Sequence, residues 1–174
     1  LHLLIPAVEN AISGGAFRPG DVLQSRKGLT VEIDNTDAEG RLILGDALTR
    51  ASEENPDLIV DFATLTGAAR VALGPDLPAM MARKDATADA FLAAGKAHDD
   101  APWRLPLHEG YREYLASDIA DMVNSASNPF AGASVAGLFL DRFVEEGLDW
   151  VHFDTFAWCP APKPGRSRGG RGLG

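Results

Sequence analysis

Apolar positions open the chain with no polar lead-in. Leu1, Leu3, Leu4, Ile5 and Ala7 predict a short buried strand over residues 1–7. Ser13, Gly14, Gly15, Pro19 and Gly20, with Asn10, give residues 10–22 the chemistry of a loop. Two strands follow around a turn at Arg26-Lys27-Gly28: Val22-Leu23, and Leu29 to Asp34, where apolar Leu29, Val31 and Ile33 alternate with polar neighbours. From Leu42 the period changes. Leu44, Ala47, Leu48 and Ala51 follow helical spacing, and Asn55-Pro56 ends the run. Leu58 to Ala63 reads as a strand buried on both faces, leading into Thr64-Leu65-Thr66-Gly67-Ala68-Ala69 and the start of a tightly packed helix. Helices are predicted over 85–98, with Phe91 and Leu92 inward, over 109–117, and over 133–146. In the last, Ala133, Ala136, Gly137, Leu140, Phe143 and Val144 form one stripe. A polar loop, 124–132, precedes it, and Trp150 to Asp154 forms a final strand. Strands alternating with helices imply an α/β sheet that is at least partly parallel.

The 174 residues suit one domain of ordinary size. Residues 1–158 read as that domain and 159–174, rich in Pro, Gly and Arg, as an irregular tail. Twenty-five acidic against 16 basic residues leave a net charge of −9, which opposes binding to nucleic acid or an anionic membrane. The three arginines of the tail read as a solvated terminus. The single cysteine, Cys159, excludes an intramolecular disulfide and a Cys-based zinc site. No apolar run approaches the roughly 20 residues of a membrane helix. The first residue is Leu rather than Met, so a fragment is expected; removal of an initiator Met or a tag is the other reading.

Chemistry concentrates in Asn35-Thr36-Asp37-Ala38-Glu39-Gly40-Arg41-Leu42, between a strand and a helix, where α/β enzymes commonly place their sites. Asp37 and Glu39 set two carboxylates close together at a turn, as hard or borderline divalent cations require, and one carboxylate can bridge two metals. Arg41 could hold an anion bidentately. The same residues also spell a capping box, with Thr36 bonding the N–H at position 39 and Glu39 reaching back to Thr36. Spacing alone leaves both readings open. A phosphate site at the helix start by Gly40 is disfavoured, because Asp37 and Glu39 would repel the anion.

The octapeptide at 35–42 resembles the signature of the leucyl aminopeptidase family of dinuclear metallo-exopeptidases, the M17 peptidases. Ordered blocks around it match as well: Pro6 to Asn10, Arg18 to Val22, Asp61 to Ala68, Trp103 to Leu107, Ser117 to Asp121, and the helix from Ala133 to Leu140. The resemblance runs to about residue 156. It implies a three-layer α/β/α fold with a mixed, largely parallel sheet of the zinc-exopeptidase kind, lacking its first strands. It implies a cytoplasmic aminopeptidase that releases N-terminal, preferentially apolar residues from peptides and assembles as a hexamer. Its cofactors would be two divalent metal ions, Mn²⁺ or Zn²⁺ with Mg²⁺ or Co²⁺ as further options. By position, Asp37 would be a metal ligand, Glu39 would bridge both metals, and Arg41 would hold a bicarbonate-like anion that shuttles a proton. Thr64, Leu65 and Gly67 match the loop that contacts substrate, and residues 131–133 would give the side-chain pocket an apolar lining.

The resemblance also implies residues that the chain does not contain. A V-G-K-G-x-x-F-D-S-G-G-like stretch, carrying further metal ligands and a catalytic lysine, would lie before Leu1. Lys27, Lys84, Lys96 and Lys163 stand in unrelated contexts, and Asp118 and Asp121 belong to a different block. Asp37 and Glu39 alone are too few ligands for two metals. The expectation is little or no activity from these residues alone and an active longer parent. A rival reading is a non-catalytic interaction or structural oligomer subunit of the same family. Asp154 to Pro160 departs from the family's usual Ile-Ala-Gly-like turn, which implies altered packing near the site. The four histidines lack ligand spacing, Cys159 lacks a nearby base, and Ser134 is not in a nucleophile motif, so all read as structural or incidental. Trp103 reads as packing, and Asp61, ending a buried strand, needs a hydrogen-bond partner.

Overall fold

A computed structural model describes residues 1–8, 13–126 and 128–170. Its main sheet runs in the order β3 (Ile59–Ala63), β7 (Trp150–Asp154), β4 (Ala79–Ala82), β5 (Trp103–Arg104). β3 is parallel to β7, β7 antiparallel to β4, and β4 parallel to β5. A smaller sheet joins β1 (Val22–Gln24), β2 (Thr30–Glu32) and β6 (Met122–Val123), with β1–β2 antiparallel and β2–β6 parallel.

Helices cover both faces of the main sheet. On one, α1 (Gly40–Ser52) and α4 (Gly132–Asp141) bury Leu44, Leu48, Val135, Leu138 and Phe139 against Ile59 and Trp150. On the same face α2 (Gly67–Leu73) packs Ala69 with Ala79, Met81 and Ala133. On the other, α3 (Asp85–Ala97) sets Ala88, Phe91 and Leu92 on Met80, Ala82, Val151 and Phe153. This is the expected three-layer arrangement around a mixed sheet. Among the described residues no helix is long and apolar enough to cross a membrane.

Several expectations need correction. Residues 1–7 form no strand and are exposed. Apolar character creates a demand for burial, but a strand also needs an edge to take its backbone hydrogen bonds, and no such pairing forms here. β3 is buried on one face only: Val60 and Phe62 are exposed, because β3 is the edge strand and α3 covers its inner neighbours. The helix predicted over 133–146 ends at Asp141. Arg83 ends it from a distance, donating to the carbonyls of Asp141, Val144, Glu145 and Leu148 and ion-pairing with Asp141 at 2.7 Å. The helix expected over 109–117 is of the 3-10 kind and ends at Leu115. β4, β5 and β6 were not expected; at four, two and two residues they are too short to show an alternating pattern. The tail is not wholly irregular. β8 (Trp158–Cys159) pairs with β9 (Gly169–Gly170), and Lys163 and Arg166 both reach Asp76. Glu9, Asn10 and Arg171 lie outside the described residues.

Candidate active site

The acidic octapeptide lies where β2 ends and α1 begins. Helix α1 starts at Gly40, with Glu39 at its N-cap and no side-chain capping bond. The capping-box reading therefore fails: the helix begins too late for Thr36 to cap it. The turn is closed instead through Asn35, whose Oδ1 accepts from the Asp37 N–H at 2.9 Å and whose carbonyl accepts from the Ala38 N–H at 3.2 Å. Asp37 is exposed and Glu39 half-buried, and one carboxylate oxygen of Glu39 (Oε2) is fully enclosed with no hydrogen-bond partner. Both line a cavity of about 750 Å³ whose walls are otherwise largely apolar, from Leu23, Leu42 and Ile43 among others. A larger cavity, about 1170 Å³, lies by Arg83, Arg112 and Asp141, side chains already engaged in holding the end of α4.

Arg41 is the second residue of the helix. Its Nη1 donates to the carbonyl of Asn124 at 2.8 Å, and its guanidinium carbon stands 5.7 Å from the centre of the Phe139 ring. Its Nε is enclosed without a partner. Burial lowers its pKa from the ordinary value, opposed by the charge of Asp154.

Asp154 ends β7 in register with Ala63 at the end of β3. It is nearly fully buried, and it organises the loop predicted to contact substrate. Oδ1 accepts from the N–H groups of Leu65 (2.9 Å) and Thr66 (3.2 Å), and Oδ2 accepts from the Thr66 hydroxyl at 2.6 Å. Thr66 in turn caps α2, accepting from Ala69 N–H at 3.0 Å. Of the residues expected in that loop, Thr64 and Gly67 are exposed and Leu65 half-buried. Leu65 and Ala131 pack against one apolar cluster. A Cβ at Gly132 would stand 3.0 Å from that of Ala68, so the starts of α2 and α4 meet. The predicted apolar lining at 131–133 thus adjoins the 64–67 loop.

Sequence reasoning missed Asn124 and Asp154 as parts of this site. Asp154 carried a usable signal, a carboxylate at the carboxyl end of a buried parallel strand. Asn124 carried none, since its value lies in contacts across 83 to 90 positions of sequence. Asp61 behaves as expected. It accepts from Trp150 Nε1 at 2.7 Å and pairs with His152 Nδ1 at 2.6 Å. Among the described residues no three His, Cys, Asp or Glu side chains converge into a metal-holding group.

The sequence profile of the cytosol aminopeptidase family, catalytic domain, matches residues 1–174. The chain belongs to this family. A curated relative in Ralstonia pickettii, named "Probable cytosol aminopeptidase", is 50% identical over 171 residues, covering 97% of this chain and 33% of its own length. The crystal structure of a cytosol aminopeptidase from Coxiella burnetii superposes with a TM-score of 0.91 at 55% identity, covering 95% of this chain and 36% of that one. The bottromycin maturation enzyme BotP, solved in complex with Mn, superposes at 0.85 with 41% identity, covering 90% of this chain and 36% of its own. The chain therefore spans about a third of the length of these family members, and its mixed α/β fold is theirs.

Proposed function

We propose that this chain forms the C-terminal portion of the catalytic domain of a metal-dependent, cytoplasmic aminopeptidase. It would act on peptides with a free N-terminus and prefer apolar first residues. The observation that carries this reading is the pair of orphaned polar atoms on one turn, Glu39 Oε2 and Arg41 Nε. A buried oxygen acceptor and a buried nitrogen donor are each costly without a partner. A divalent cation suits the first and an oxyanion suits the second.

The donor set fits a hard or borderline divalent ion, Mn²⁺ or Zn²⁺, with Asp37 and Glu39 as this chain's ligands. Bound there, such an ion supplies Lewis-acid polarisation of a carbonyl and a water nucleophile at neutral pH. The chain's own residues do the rest of what is proposed here. Arg41 holds a bicarbonate-like anion with the guanidinium edge left free. The 64–67 loop, fixed by Asp154, meets the peptide, and the half-buried Leu65 and Ala131 offer the apolar surface for its first side chain. A hexamer, the assembly the family resemblance implies, is part of this proposal. No observation among the described residues favours a non-catalytic subunit.

The test is a chimera in which this chain replaces the matching third of the Coxiella enzyme. With Mn²⁺ or Zn²⁺ it is expected to hydrolyse a leucine anilide, and Glu39→Gln is expected to abolish turnover and reduce bound metal. A folded chimera that takes up metal but shows no turnover, or keeps full turnover with Glu39→Gln, refutes the assignment.

A further inference from the structure

We propose that Asn124 is a positioning residue that holds the Asp37–Glu39 turn in a fixed relation to Arg41. The inference rests on the reading of Asp37, Glu39 and Arg41 given under Proposed function. Asn124 directly follows β6 and is fully buried. Three of the four hydrogen-bonding directions of its side chain are used on the turn. Oδ1 accepts from the N–H groups of Asp34 (2.9 Å) and Asn35 (3.1 Å), and Nδ2 donates to the Asn35 carbonyl at 2.7 Å. Its own N–H donates to Glu32 O at 2.9 Å, which continues the β2–β6 pairing up to the turn. Its carbonyl accepts the Arg41 guanidinium.

The order of these bonds matters. The bonds that close the acidic turn, from Asp37 N–H and Ala38 N–H, both end on Asn35. Asn35 is itself gripped on both backbone groups by Asn124. The position of Asp37 is therefore inherited from Asn124 through Asn35, while Arg41 is held by the same residue through its main chain. A short planar amide is the group that can accept two bonds and donate one at this reach. The two arms are also separable: a side-chain substitution releases the turn but leaves the carbonyl that binds Arg41.

The experiment is amide hydrogen exchange and Mn²⁺-induced line broadening by NMR on this 174-residue chain, with Asn124→Ala and Asn124→Asp. Asn124→Ala is expected to speed exchange at Asp34, Asn35 and Asp37 by at least about tenfold. Exchange at Val151 and Phe153 in the core should stay within about twofold, because those amides report wider openings. Broadening at Asp37 and Glu39 should then require several-fold more Mn²⁺. Asn124→Asp keeps Oδ1 and is expected to restore protection at Asp34 and Asn35. Three results overturn the proposal: unchanged exchange at the turn, an equal rise at turn and core, or a loosened turn whose Mn²⁺ response is unaltered. If the unsubstituted chain shows no broadening at Asp37 and Glu39, these two carboxylates do not hold Mn²⁺ by themselves, and the ligand reading is decided by the chimera. The exchange contrast between Asn124→Ala and Asn124→Asp then still decides whether Asn124 holds the turn.

Discussion

Asp154→Ala tests how the 64–67 loop is built. The carboxylate is 3% exposed and accepts three hydrogen bonds, from Leu65 N–H, Thr66 N–H and the Thr66 hydroxyl. Alanine removes both acceptor oxygens and strands all three donors, and a donor stranded in a buried setting costs about 1–3 kcal/mol. Leu65 and Thr66 are half-buried, so the lower end of that range applies to each, giving roughly 3–4 kcal/mol in total. The loss of a counter-charge for the buried Arg41 acts in the same direction. That is a large share of a typical domain stability of about 5–15 kcal/mol. Asp154→Asn keeps one carbonyl oxygen for the two N–H groups, so a loss of about 1–2 kcal/mol is expected. Urea unfolding followed by tryptophan fluorescence reads both, since Trp150 is wholly buried. With a denaturant slope of about 2 kcal/mol/M, the alanine midpoint should fall by about 1.5–2 M and the asparagine midpoint by less than about 1 M. An alanine variant within about 1 kcal/mol of the parent, or an asparagine variant as unstable as alanine, would show that Asp154 does not hold this loop.

Two further outcomes follow from local geometry. Gly95→Ala would place a Cβ 2.7 Å from the Asp100 carbonyl oxygen and 2.9 Å from the Ala101 Cα, both backbone atoms that cannot swing aside. Ala is the better helix former by about 1 kcal/mol, but the clash should win and lower the melting temperature; a rise would refute the close approach. The Asp121 carboxyl accepts from the Thr30 N–H and hydroxyl, which hold its pKa below the ordinary 3.8. The folded pKa is depressed, so this contribution is complete above 3.8 and is lost as pH falls through the lower, folded value. Thr30→Ala removes the hydroxyl bond and keeps the N–H bond, so it should reduce, without abolishing, the loss of stability as pH falls below 3.8, measured by denaturant unfolding. An unchanged loss would refute the link.

The local pattern was enough to identify α1, α3 and α4 and strands β1, β2, β3 and β7, because an amphipathic period is written into consecutive residues. It was enough to single out Asp37, Glu39 and Arg41 as candidates, because two carboxylates and an arginine fall within a few positions. It could not reveal β4, β5 or β6, whose existence depends on the neighbour each pairs with. It could not say that residues 1–7 would be exposed, or that α4 would stop at Asp141 under Arg83, 58 positions away. Nor could it find Asn124 and Asp154, whose bonds to the acidic turn and the 64–67 loop span 83 to 90 positions. The sequence by itself determined the family signature, its candidate residues and which segments favour helix or strand. The tertiary structure decided what holds those residues in place. A hydrogen bond depends on the distance between two atoms, and between distant residues that distance is set only when the sheets and helices pack.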